Sequence, residues 1–306
     1  MKVLFMGTPD FAIPSLDALV SRHEVVGVVT QPDRPRGRGG KITPCAVKAR
    51  ALELGLPVYQ FEKISREGVD LLKSLGVDIM VTAAFGQILS DEILAIAPHG
   101  VINVHGSILP KYRGSSPIQH AILKGEKETG VTIMQTAHDV DSGDIIHAKT
   151  TPIEDSDGTV SLFDRLARLG ADALIEAMDK IEKGIATRTP QNHEEATFCK
   201  MLDKSDAVID WTKGARELSC QIRAFDYVGA STIQNGVVVK LFRPEVVDRE
   251  GNCGEVVECS DKTGIIVACG EKALKIGEIL PAGGKRITTA DYVRGRKIEK
   301  GVVFGK

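Results

Sequence analysis

Over the first half of the chain, short unbroken apolar runs alternate with amphipathic stretches. Lys2 to Met6 is a β-branched and aromatic run ending at Gly7, and Leu16, Leu19 and Val20 follow at helical spacing. Glu24 to Thr30 (EVVGVVT) predicts a second strand, Ala46 to Leu54 a helix stopped by Gly55, and Leu56 to Gln60 a third strand. Helix and strand alternate again over Val69 to Leu75 and Asp78 to Thr82, and Gly100 to His105 (GVINVH) is the fifth strand. Strands that are apolar throughout and separated by helices imply a parallel sheet covered on both faces. Right-handed crossovers make that sheet doubly wound, a Rossmann-like α/β fold.

Beyond the fifth strand the pattern changes. Val131 to Thr136 and Ile145 to Thr150 predict two more strands, joined by a loop rich in Asp and Gly. A long amphipathic helix over Thr159 to Glu182 carries Leu162, Leu166, Leu169, Ala173, Leu174 and Met178 on one face. Residues 184–207 are polar and uneven. After a helix over Ala215 to Phe225 come glycine-punctuated strands at Val237 to Phe242, Gly254 to Glu258, Gly264 to Ala268 and Ala273 to Ile279. Short strands with frequent turns predict a small OB-like β-barrel. The organisation expected is a first domain over 1–189, a linker over 190–207 and a barrel domain over 208–306.

Composition narrows the class. The chain has 306 residues, 26% charged, with a formal net charge of -2, so a nucleic-acid partner requires a local basic patch. No run approaches the ~18 apolar residues of a membrane span, and the opening apolar run is too short for a signal peptide. The six cysteines form no C-x-x-C pair, which fits reduced thiols in the cytoplasm and gives no structural zinc site. No heptad or extended apolar edge demands a second copy, so a monomer is expected.

Four segments carry candidate chemistry. Gly7-Thr8-Pro9-Asp10 follows strand one, but a dinucleotide fingerprint needs three spaced glycines, so a structural turn is the better reading, even with Asp33 placed like a ribose-binding acid. The loop Gln31 to Lys41 (QPDRPRGRGGK) crowds Arg34, Arg36, Arg38 and Lys41 among glycines and prolines, a mixture suited to phosphate contact as well as to plain solvated surface. At the carboxyl end of strand five, Asn103 and His105 share a face, where open α/β sheets place their sites. An amide that can polarise a carbonyl beside an imidazole that can shuttle a proton suits acyl transfer. A hydrogen-bonded structural histidine would show the same pair. The loop Asp139-Val-Asp141-Ser-Gly-Asp144 offers three carboxylates to orient that ring, and the residues alone do not choose among them.

Taken together, Asn103-Val104-His105, Ser107-Ile108-Leu109-Pro110, Arg113-Gly114 and Asp141-Ser142-Gly143 resemble the folate-dependent formyltransferase family. The resemblance implies that Asn103, His105 and Asp141 are catalytic. It implies that Ser107, Ile108, Leu109 and Pro110 lie against 10-formyltetrahydrofolate, with Phe85, Gln87, Ile88 and Leu89 lining the pterin pocket, and that no metal is needed. GTPDFA, the QPDRPRGRG loop, ATFCKML, Ile209-Asp210-Trp211 and Ile222-Arg223-Ala224-Phe225 are similar to the branch whose acceptor is initiator methionyl-tRNA. On that resemblance the basic loop enters the acceptor stem and the barrel touches the RNA. Members acting on amino sugar nucleotides are the alternative, and the basic loop weighs against them. One departure is local: where the family shows a proline-rich turn before Gly-Ala, this chain has Asp226-Tyr227-Val228-Gly229-Ala230.

Overall fold

Lys2–Gly7 forms β1, Ile13–Arg22 helix α1 and Glu24–Thr30 β2. A small antiparallel hairpin, β3 (Arg34–Arg36) and β4 (Lys41–Thr43), stands within the arginine-rich loop. Then come α2 (Ala46–Glu53), β5 (Val58–Gln60), α3 (Ile64–Glu67), α4 (Val69–Ser74), β6 (Ile79–Ala83), α5 (Asp91–Leu94) and β7 (Val101–His105). The chain continues through β8 (Arg113–Gly114), α6 (Pro117–Leu123), β9 (Glu128–Gln135), β10 (Ile145–Pro152) and α7 (Thr159–Glu182). The structure is a computed structural model that describes residues 1–36, 40–295 and 297–306. Arg38 of the basic loop lies outside the described residues, as do the side chains of Arg36 and Lys41.

Seven strands pair in the order β10-β9-β7-β6-β1-β2-β5. The five central and edge strands from β7 to β5 run parallel, and β9 joins β7 antiparallel. Val3 to Met6 and Ile79 to Val81 are fully buried, as strands covered on both faces require. The strand order reverses at β1, with β2 on one side and β6 on the other. Such a switch point leaves a crevice beyond the carboxyl ends of the strands, where ligands bind. Gly7 closes the β1 turn tightly: a Cβ there would sit 2.8 Å from that of Ala12. Asp33 is fully engaged by Lys48 Nζ at 2.6 Å and Gln60 Nε2 at 3.0 Å, which hold its carboxyl below the ordinary value.

The chain forms two compact units. The first comprises Met1–Pro117, Glu128–Thr151 and Phe163–Cys199, and the second Ile118–Lys127, Pro152–Leu162 and Lys200–Lys306. The first ten residues of the expected linker thus belong to the first unit, where β11 (Phe198–Cys199) pairs with β8.

In the second unit, α8 (Ala215–Ala224) precedes β12 (Ala230–Gln234), β13 (Val237–Val247), β14 (Val256–Ser260), β15 (Gly264–Ala268), β16 (Ala273–Leu280), β17 (Ile287–Thr288) and α9 (Thr289–Arg294). The antiparallel order is β12-β13-β16-β15-β14, with β17 on β16. The chain end closes this sheet: Gly305 N–H donates to Ile233 O on one edge, and Phe304 N–H donates to Gly254 O beside the other, both at 2.8 Å. Closure removes exposed edges. Strand β13 runs five residues past its expected end: Arg243, at φ 53°, interrupts the ladder for one residue opposite Gly277, and pairing resumes in the same register at Pro244.

Trp211 anchors the closure. It is 5% exposed, stacks on Phe304 with centroids 5.8 Å apart, and donates Nε1–H to Thr232 Oγ1 at 2.9 Å. Trp211→Ala should cost about 3–5 kcal/mol, read as a lowered unfolding midpoint in denaturant. An unchanged midpoint would show that the end segment holds without it.

The departure at Asp226 also has a structural role. Its Oδ1 accepts from Val160 N at 3.2 Å, in the first turn of α7. Burial pushes this carboxyl above its ordinary 3.8. A raised folded value means that the group favours the fold most below 3.8 and that this contribution is lost as pH rises through the folded value. Asp226→Asn keeps the acceptor without the charge. Its thermal midpoint, relative to the parent, should therefore rise between pH 3.8 and neutrality, and a flat difference would refute the assignment.

Candidate active site

Strand β7 is buried except at Asn103, which is half-buried. Its register sets Asn103 beside Thr82 of β6 and His105 beside Thr132 of β9. Thr82 Oγ1 donates to Asn103 Oδ1 at 2.8 Å. With its oxygen occupied, the Asn103 amide has its NH2 donors to offer.

His105 is 5% exposed. Its Nε2 lies 2.9 Å from the Tyr112 carbonyl, which can only accept, so Nε2–H donates there. Of the three acids in the 139–144 loop, Asp141 is the one the structure brings to the other nitrogen, with Oδ2 3.5 Å from Nδ1. That is long for a strong hydrogen bond. The Tyr112 carbonyl orients the ring, and the Asp141 carboxylate faces Nδ1. Gly114 N–H donates to the same Asp141 oxygen at 2.8 Å.

The turn after β7 is tightly held. Thr132 Oγ1 donates to Ser107 O at 2.7 Å and accepts from Leu109 N at 3.1 Å, while Ser107 Oγ donates to Lys111 O at 2.7 Å. Ser107 and Leu109 are buried, so Ile108 and Pro110 present the outer face of this stretch. Tyr112, at φ 61°, donates N–H to Thr197 Oγ1 at 2.8 Å. Gly114 permits β11 to approach, since a Cβ there would overlap the Cys199 carbonyl oxygen.

At the neighbouring strand end, Phe85 O accepts from Thr8 Oγ1 at 3.1 Å and Gln31 Nε2 at 3.2 Å, which brings the ends of β1, β2 and β6 together. Phe85 and Leu89 pack in the core beside Leu4, Met6 and Met80. Gln87 spends its amide on Phe61 O and Ile64 N, each at 2.8 Å. Of this stretch only Ile88, 81% exposed, and the Gly86 backbone face outward.

The formyl transferase family model matches residues 1–178, and the model of its C-terminal domain matches residues 201–297. The chain belongs to the formyl transferase family. A methionyl-tRNA formyltransferase of a Sulfurihydrogenibium species is 45% identical over 99% of this chain and 100% of that protein, and that of Neisseria meningitidis serogroup A is 44% identical over 98% and 99%. Among solved structures, an N-formyltransferase of Helicobacter canadensis, in complex with folinic acid and dTDP-3-aminofucose, superimposes with TM-score 0.70 at 18% identity, over 94% of this chain and all of that one. HypX of Aquifex aeolicus with tetrahydrofolic acid superimposes with TM-score 0.63 at 18% identity, over 96% of this chain and 47% of that one. These two establish the fold.

In this formyl transferase, then, Asn103 and His105 share one strand end and Asp141 reaches His105, with Ser107 to Pro110 following directly in the chain. Of the basic residues, Arg34 has its Nη2 2.5 Å from Glu62 Oε2. Sequence reasoning missed Thr82 and Tyr112. Thr82 had a signal, as the one hydroxyl in the apolar run IMVTA; Tyr112 acts through its backbone and had none. Cys199 adjoins the site, but burial pushes its thiol up and Sγ donates to Arg113 O at 3.3 Å, so it stays a poor nucleophile near neutral pH.

Proposed function

We propose that this formyl transferase moves the formyl group from N10 of 10-formyltetrahydrofolate to the amino group of methionyl initiator tRNA, the start of translation in the cytoplasm, and that it works as a monomer. What carries the reading is likeness to methionyl-tRNA formyltransferases along the full length, both domains included, together with an amide, an imidazole and a carboxylate assembled at the end of β7.

The neutral amine attacks the formyl carbon. As the new C–N bond forms, the carbonyl oxygen becomes an oxyanion, to which the Asn103 NH2 donates; one such donor is worth roughly 3 kcal/mol. His105 Nδ1 takes the proton released by the attacking nitrogen and returns one to N10 as the old C–N bond breaks, leaving tetrahydrofolate. Asp141 stabilises the imidazolium between those transfers. Ile108, Pro110, Ile88 and the Gly86 backbone flank the pterin, while Ser107, Leu109, Phe85, Gln87 and Leu89 shape those outer faces from behind. Arg34, Arg36, Arg38 and Lys41 meet RNA phosphates, and the barrel adds Lys285, Arg286, Arg294 and Lys297. The likeness to an amino-sugar enzyme reaches only 18% identity and gives that acceptor no support beyond the fold.

Tetrahydrofolate release should be followed with charged initiator methionyl-tRNA, charged elongator methionyl-tRNA and a dTDP-amino sugar as acceptors. Turnover with the initiator alone is expected. Turnover with the sugar would keep the folate chemistry and overturn the acceptor.

A further inference from the structure

Gln191 falls in the stretch that the sequence presents as a linker, yet it is 6% exposed and its side-chain amide is engaged through both oxygen and nitrogen. Its Nε2 donates to Asp141 O at 2.9 Å and to Gly143 O at 2.7 Å. Its Oε1 accepts from Arg113 Nε at 3.0 Å and Nη2 at 2.7 Å. Arg113 is itself 4% exposed, and its Nη1 reaches His193 Nδ1 at 3.3 Å. One amide therefore joins the peptide that carries Asp141 to the strand whose next residue, Gly114, donates to the Asp141 carboxylate at 2.8 Å.

The Asp141 backbone needs such support. Its φ of 49° lies in the left-handed region, which costs a non-glycine residue roughly 1–3 kcal/mol and persists only when the surroundings enforce it. Two hydrogen bonds from one buried side chain, to residues 141 and 143, span that conformation. Removing them frees the loop to relax, and the carboxylate then loses its place 3.5 Å from His105 Nδ1.

We infer that Gln191 is a positioning residue for formyl transfer, holding the Asp141 carboxylate against His105. The inference rests on the catalytic role proposed above for Asp141. It also requires an amide: a glutamate would still accept from Arg113, now as an ion pair, but would set a carboxylate that cannot donate against two carbonyl oxygens.

Gln191→Glu separates anchoring of Arg113 from support of the Asp141 loop. The variant should fold, keep its KM for 10-formyltetrahydrofolate, and lose about 10- to 100-fold in kcat, as expected for a displaced catalytic group. Added to Asp141→Asn, it should cause no further loss, because residues acting as one unit are not additive. Wild-type kcat in Gln191→Glu, or an equal loss in the Asp141→Asn background, would overturn the inference and leave Gln191 as scaffold. Full activity in Asp141→Asn alone would instead remove the reading of Asp141 on which the inference stands. Should Gln191→Glu not fold, Gln191→Asn retains the amide one methylene short of both carbonyls. It should lose kcat in the same way, and full kcat there would overturn the inference.

Discussion

His105→Ala should lower kcat by about 10²- to 10⁴-fold, the usual worth of a positioned proton carrier, while leaving folate affinity nearly unchanged. The expectation follows from the ring's surroundings. Nε2 is committed to the Tyr112 carbonyl and Nδ1 faces Asp141, so on the proposed mechanism one nitrogen holds the ring and the other carries the proton. Truncation also removes the His105 hydrogen bond to the Tyr112 carbonyl, which still accepts from Cys199 Sγ at 3.4 Å, so only a small drop in melting temperature should accompany the kinetic loss. Single-turnover formylation beside equilibrium folate titration separates the two. Equal losses in turnover and folate binding would reassign His105 to binding.

Asn103→Asp should be more damaging than Asn103→Ala. The alanine variant loses one donor to the oxyanion, about 10²- to 10³-fold in kcat. The aspartate variant preserves shape and still accepts from Thr82 Oγ1, so the strand end keeps its local bonding. What it presents to the developing oxyanion is a carboxylate oxygen, which repels where the amide attracted. The loss should therefore exceed that of alanine, with an unchanged fold by circular dichroism. If Asn103→Asp and Asn103→Ala retained near-parental kcat, the oxyanion donor would have to be another group.

Much of the scaffold was legible because its signals are local. Glu24–Thr30, Thr159–Glu182 and Gly264–Ala268 have the boundaries that their apolar patterns predict. Other features rest on tertiary contacts that local pattern does not carry. Strand β12 (ASTIQ) has little apolar character and pairs because β13 lies alongside it. The polar stretch before Cys199 reads as linker, yet Arg113 N–H donates to Thr197 O at 2.8 Å and Ser115 N–H to Cys199 O at 3.1 Å. Phe85 and Leu89 sit in a motif that reads as pocket lining, and they also pack in the core cluster with Leu4, Met6 and Met80.

The sequence by itself determined the alternation of strand and helix, the turn after β7, and Asn103 and His105 on one side of that strand, since strand period and apolar runs are properties of neighbours along the chain. Tertiary structure decided which carboxylate meets the histidine, which ring nitrogen faces it, and what holds both in place. Those outcomes depend on contacts between residues distant in sequence, Gly114 with Asp141 across 27 positions and Arg113 with Gln191 across 78. No local pattern encodes such a distance; it exists only once the strands have packed.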